Sequence, residues 1–275
     1  MPTVKLLISY HKPSALIKEE IMMPIHAGRS EYVKMFESGC IPKDQYDWMM
    51  ENTTGDDSGD NISHLNHDLN ELTTIYWAWK NYEKTGNPDY IGFMHYRRHF
   101  SCTPDVIQNM ICNYDVIAAK PSDLLITVYK QYKKHHKIAE LDFCINQIQS
   151  DYPTLFPYFQ TLINQNLLIS YNMFIMKKEL FFDYCQFLFD IAFKFLNNFN
   201  RSNYSADESR TFVLERITAL YLYYLSQQDQ VKYAVLPVIF IGASHNIFYR
   251  FYNCLKDNGI QYTMRLLIKK IARKV

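Results

Sequence analysis

The segment Tyr90–Phe100, YIGFMHYRRHF, drives an apolar run straight into two imidazoles and two guanidiniums within the five residues His95 to His99. A guanidinium presents a planar fork of donors that matches phosphate oxygens and stays charged at any physiological pH. Adjacent side chains leave an extended strand on opposite faces. Arg97 and Arg98 can therefore converge on one anion only if the chain turns after Tyr96. The alternative is that they pair with carboxylates of the chain itself, Asp89 or Glu71. The spacings His64/His67 and His95/His99 also admit a metal reading. However, His95–His99 follows a strand, and no acid falls at a recognised ligand spacing. The acidic run Asp56-Asp57-Ser58-Gly59-Asp60 lacks the alternating ligands and closing Glu of a calcium loop. It reads as a turn that caps a helix or folds over a ligand.

Other chemistries are excluded by what is missing. The chain has no GxxxxGK[ST], no GxGxxG and no nucleophile elbow, and only 8 glycines. A nucleotide would have to be held by side chains rather than by a glycine-rich cradle. A net charge of +1 argues against a general nucleic-acid binder, so any anion is gripped locally. The 6 cysteines are widely spaced with no CxxC, which fits reduced thiols and neither a zinc module nor a disulfide scaffold. No run of apolar residues is long enough for a membrane span or a signal peptide, so a cytoplasmic protein is expected.

These residues need a scaffold to position them. At 275 residues and 48% hydrophobic, the chain can bury a large core. Thr3–Tyr10 reads as a buried first strand, Asp44–Ser63 as a polar loop, and the stretch from about Asn66 as a helix stopped by Gly86-Asn87-Pro88. Strands are expected over DYIGFMHY, Tyr114–Pro121, Leu167–Lys178 and KYAVLPVIFI. Helices are expected in the middle of the chain, including DYPTLFPYFQTLINQ, and over ELFFDYCQFLFDIAFKFL and TFVLERITALYLYYL. Asn197–Arg210 reads as a polar loop. Strands alternating with helices, with no repeat, place the chain in the α/β class. At the C-terminus, QYTMRLLIKKIARKV carries five cations and no acid. Met264, Leu267, Ile268, Ile271 and Val275 fall on one helical face. That is the profile of an interfacial helix on an anionic membrane, or of a tail docked on the core.

The series GDDSGDNIS, NELTTIYWAWKN and DYIGFMHYRRHF, followed by QYKKHH, YNMFIMKKELFFDYCQFLF and RTFVLER, resembles the bacterial capsular and exopolysaccharide glycosyltransferase family long classed as a domain of unknown function. The resemblance implies a single GT-A-like α/β domain, a mixed central sheet flanked by helices, expected over residues 1–250; the basic C-terminal helix, read from its own charge pattern, is expected at 251–275. It implies transfer of a hexosyl unit, galactofuranosyl or galactosyl, from a UDP-sugar to a lipid-linked surface glycan at the inner face of the plasma membrane. Donor-side residues are Tyr10, at the end of the first strand, and, on these motifs, Asp60, Asn61, Ser63, Glu71, His95, Tyr96, Arg97 and Arg98. Acceptor-side residues are His135, His136 and Asn172. The family more often has a small or apolar residue near Arg29 of PIHAGRS, which bears on the front of the donor pocket.

Many GT-A enzymes place an Asp-x-Asp metal site where this chain has HYRR. Positive side chains can clamp a leaving diphosphate in place of a metal, so no cofactor is expected. The alternative is that Asp56–Asp60 supplies ligands for a divalent ion. Glu71 is either a partner of Arg97 or Arg98, or a ligand for donor hydroxyls. Asp60, Asn61 and Ser63 either bind donor hydroxyls or cap the next helix. An inverting transferase needs a base for the acceptor hydroxyl. Glu215 of RTFVLER is that candidate, against a structural pairing with Arg210 or Arg216.

Overall fold

The computed structural model describes residues 1–199, Tyr204 and 210–241. The expected C-terminal helix, and with it the proposed boundary at residue 250, lies outside the described residues. In chain order the elements are β1 Val4–Tyr10, β2 Met22–His26, α1 Arg29–Glu37, α2 Lys43–Asn52, β3 Thr54–Gly55, α3 Asn66–Leu69, α4 Leu72–Lys80, β4 Tyr90–His95, β5 Arg98–Phe100, α5 Pro104–Met110 and β6 Val116–Ala119. They continue with β7 Ser122–Asp123, α6 Val128–His135, α7 Ile138–Asp151, α8 Phe156–Asn164, β8 Leu167–Leu168, β9 Phe174–Lys177, α9 Lys178–Asn198, α10 Thr211–Ser226, β10 Tyr233–Leu236 and β11 Val238–Phe240.

The main sheet runs in the order β10-β6-β9-β4-β1-β2-β3. The strand β9 is antiparallel to β4 and β6, while β4, β1, β2 and β3 run parallel. This is the expected α/β domain with a mixed central sheet flanked by helices. The centre is tight at Gly92, where a Cβ would lie 2.7 Å from the side chains of both Leu6 and Ile175. On one face, α9 buries Phe181, Tyr184, Phe187, Leu188, Phe189, Ile191 and Phe195 against β4, β9 and α4. Each such side chain contributes about 1.5–3 kcal/mol relative to exposure. That apolar stripe explains a 21-residue helix in a chain with otherwise short elements.

Four sequence expectations change. The loop predicted over Asp44–Ser63 begins as α2, because Met49 is fully buried and Tyr46 and Trp48 pack on the core despite the polar composition. The helix from Asn66 breaks at Asn70, whose φ of 46° and ψ of −128° end α3 and let α4 restart at Leu72. The strand predicted over Leu167–Lys178 is two short strands, separated by Tyr171 and Asn172 with φ of 79° and 49°. The last strand divides at Pro237, which has no amide hydrogen for a ladder. Its first half joins β6 and its second half joins β5.

Candidate active site

The parallel strands β1 and β4 end side by side, with Ser9 opposite His95. Ligand sites in open α/β sheets lie outside such carboxyl ends. Here the ends open into a cleft of about 680 Å³, lined also by α6, the 168–171 segment and the first turns of α10. Of the sequence-derived candidates, Tyr10, Glu71, His95, Tyr96, Arg97, Arg98, His136 and Glu215 line it.

The chain does turn after Tyr96. The residues His95 and Arg98 pair across a tight hairpin that joins β4 to β5, and both guanidiniums reach the cleft. The Arg97 guanidinium lies 5.0 Å from the centre of the Tyr96 ring and is exposed. The Arg98 guanidinium lies 4.7 Å from the Tyr171 ring and 5.4 Å from Phe240, and its Nε is buried without a hydrogen-bond partner. Neither arginine forms an ion pair with a described carboxylate. The two acids weighed as their partners are engaged elsewhere. Asp89 accepts from the Thr3 amide and hydroxyl at 2.8 and 2.9 Å, and Glu71 accepts from Asn172 Nδ2 at 2.8 Å.

The left-handed pair Tyr171–Asn172 ties the cleft walls together. Positive φ at non-glycine residues costs of order 1–3 kcal/mol each, and four contacts hold the turn there. The Tyr171 carbonyl accepts from His95 Nε2 at 2.6 Å, which fixes the proton on that nitrogen. The Tyr171 amide donates to Glu215, and the Tyr171 ring carries Arg98. Asn172, only 3% exposed, sits behind the lining with its Nδ2 on Glu71.

On α10, the Glu215 side chain is 20% exposed and accepts from Arg216 Nη1 at 3.1 Å. Burial raises its pKa, the neighbouring Glu71 adds to the rise, and Arg216 opposes it. Of the two structural pairings weighed against a role as base, the one with Arg216 forms. Pairing with Arg210 does not, because Arg210 bonds the buried Asp68 at 2.5 Å. Arg216 also donates to Gln131 at 2.7 Å, which ties α10 to α6.

The acidic loop has another role. Asp56 is fully buried and accepts from Gly28 N, Arg29 N, Ser63 Oγ and Thr73 Oγ1 at 2.5–3.0 Å. Its carboxylate thus caps the start of α1 and ties that turn to α4. Gly28 fits because its φ is 73° and a Cβ there would strike the Asn66 side chain at 2.4 Å. Asp60 accepts from the Tyr76 hydroxyl, Asn61 donates to the Asp57 and Gly59 carbonyls, and Ser63 is consumed by Asp56 and the Ser30 amide. These three residues fold the loop on itself and do not line the cleft. His135 is exposed on α6 beside His136 and does not line it either. Arg29 also points away: it donates to the Thr53 carbonyl and hydroxyl, so it leaves the front of the cleft unobstructed. No group of three or more His, Cys, Asp or Glu among the described residues is placed to hold a metal ion.

Sequence reasoning missed His11, Tyr171, Phe212 and Arg216, all of which line the cleft. His11 directly follows β1, so the strand-end rule could have found it. Burial, then Arg97, pushes its pKa down to about 4, leaving a neutral imidazole beside the Tyr96 hydroxyl. Among the described residues no helix is long and apolar enough to cross a membrane.

No curated protein matches the chain. Among solved structures, the chain is similar to the apo structure of the bifunctional glycosyltransferase WbbM, at 27% identity and a TM-score of 0.73. The match covers 87% of this chain but 45% of that one, so the chain spans less than half of its structural relative. A family model described as a domain of unknown function, DUF4422, matches residues 5–228. On that match, the chain belongs to the DUF4422 family.

Proposed function

We propose that the cleft transfers a hexosyl unit from a nucleoside diphosphate sugar to a glycan hydroxyl. The observation that carries this reading is the meeting of two unlike groups in one cleft. Two guanidiniums without a described carboxylate partner stand at the carboxyl end of β4, and a carboxylate of raised pKa on α10 lines the same cleft. In this reading Arg97 and Arg98 bind the diphosphate and stabilise the charge that develops as the sugar–phosphate bond breaks. Glu215 takes the proton of the acceptor hydroxyl, whose oxygen forms the new bond to the anomeric carbon, and the leaving nucleoside diphosphate keeps the bonding electron pair. A raised pKa brings the base closer to working pH, where general-base catalysis is efficient.

The likeness to WbbM and the sequence motifs support a transferase. The finer assignment is a UDP-galactofuranose or UDP-galactose donor, inversion at the anomeric carbon, and a lipid-linked acceptor at the inner membrane face. Guanidiniums serve as the charge clamp, without a required metal. The test is release of UDP from these two donors, with an octyl hexoside as acceptor, in EDTA and again with Mn²⁺. Turnover in EDTA is expected, and Glu215→Gln should lower it about 100-fold or more while leaving UDP affinity intact. Activity only with added Mn²⁺ would overturn the metal-free clamp. UDP binding with no turnover under any condition would leave a nucleotide-sugar-binding protein instead.

A further inference from the structure

On the Glu215 side the cleft is not uniformly polar. Phe212, in the first turn of α10, is 42% exposed although it lines the cleft. Its ring stacks on His136, which caps the C-terminal end of α6, with centroids 4.4 Å apart and planes 25° from parallel. The pair belongs to two elements that are locked together nearby by Arg216 and Gln131, at 2.7 Å. The platform is therefore fixed from both sides. Phe212 precedes Glu215 by three residues on one helix, which puts the two side chains on the same face about one turn apart.

We infer that Phe212, backed by His136, is the platform that seats the acceptor sugar. A hexose ring has one face of C–H groups and a rim of hydroxyls. The exposed phenyl ring matches that C–H face, since burying apolar surface against it is favourable. The polar groups around it, Gln131 and Glu215, match the rim. A ring lying on Phe212 presents its edge to Glu215 one turn away, where the accepting hydroxyl must be deprotonated. The donor base is the competing occupant. It is disfavoured because the ring lies one helical turn from Glu215, the group that must meet the acceptor hydroxyl. The inference rests on the transferase reading above and names the acceptor half of the same site.

The test uses the whole chain, a panel of octyl hexopyranosides as acceptor probes, and saturation-transfer NMR in the presence of UDP. Ring C–H protons of at least one probe should be saturated in the unmodified protein. Phe212→Ala should weaken that probe's binding about tenfold, roughly the effect of 1.4 kcal/mol, with UDP Kd within twofold. Phe212→Trp should restore the binding. Unchanged probe affinity in Phe212→Ala would overturn the platform, as would loss in both variants alike. A parallel loss of UDP affinity would assign the ring to the donor base. If the unmodified protein binds UDP but no octyl hexoside, the platform falls and the donor assignment stands. If it binds neither, the transferase reading fails first.

Discussion

Two polar motifs in this chain look equally chemical and behave oppositely. In Asp56–Ser63, the side chains of Asp56, Asp60, Asn61 and Ser63 all bond within the fold, with four donors on the Asp56 carboxylate alone. In His95–Arg98, the backbone is just as regular, yet two guanidiniums face a cleft without a described carboxylate partner. Both arginines are held from behind by aromatic rings, which orient a cation without neutralising it. A dense polar motif therefore marks a site only where its hydrogen-bonding capacity is left open. The first motif holds the scaffold that lets the second stay open.

The sharpest way to break that contrast is Asp56→Ala. It strands the Gly28 and Arg29 amides and the Ser63 hydroxyl, at about 1–3 kcal/mol for each unsatisfied group. The expected result in thermal denaturation is a Tm lower by about 10 °C or more. A normal Tm with lost UDP binding would move the acidic loop into the site. Next in size, Arg97→Ala and Arg98→Ala should each raise the UDP Kd about tenfold or more by titration calorimetry, since hydrogen bonds to charged groups contribute about 1.5–3 kcal/mol. Arg98→Ala should also lower Tm slightly, because it loses its stacking on Tyr171 and Phe240. Arg97→Ala should not. Wild-type UDP affinity in both variants would remove the donor assignment.

A third measurement uses pH. His26 is fully buried, and burial followed by Arg29 pushes its pKa from its ordinary 6.5 down to about 3. The unfolded chain then takes a proton near pH 6.5 that the folded chain refuses. Stability is fully present above pH 6.5 and is lost as pH falls toward 3, by about 2 kcal/mol at pH 5. His26→Asn should flatten this decline in chemical denaturation. An unaltered decline would mean that His26 is not its source. The smallest effect is expected from Asp60→Ala, which loses one hydrogen bond to Tyr76, worth about 1 kcal/mol, and leaves UDP affinity unchanged. A clear loss of UDP affinity would return Asp60 to the donor side.

How far the sequence carried these conclusions depended on what each residue advertises. Long apolar stripes made β1, α9 and α10 legible, and the HYRR cluster pointed to the right strand end. The helix α2 was hidden because a half-buried helix with Trp48 and Met49 inside DQYDWMMEN has little apolar excess. The break at Tyr171–Asn172 left no mark either. Tyrosine rarely takes positive φ, and only tertiary contacts with His95, Glu215 and Glu71 hold it there. The role of Asp56 was invisible for a similar reason. Its partners come from residues 28 to 73, a convergence that local spacing does not encode.

The division at Pro237 has a practical consequence for handling the protein. Because β11 crosses to β5, the Ile241 amide ends up bonded to the Arg97 carbonyl at 2.9 Å. A reporter or purification tag fused directly after Ile241 would thus emerge at the rim of the cleft, beside the arginines. The Val4 end of β1 lies six residues from the cleft-lining Tyr10, a separation of ~20 Å along the strand. A label attached ahead of Val4 leaves the mouth clear, so immobilisation through that end is the orientation in which ligand titrations report the open cleft.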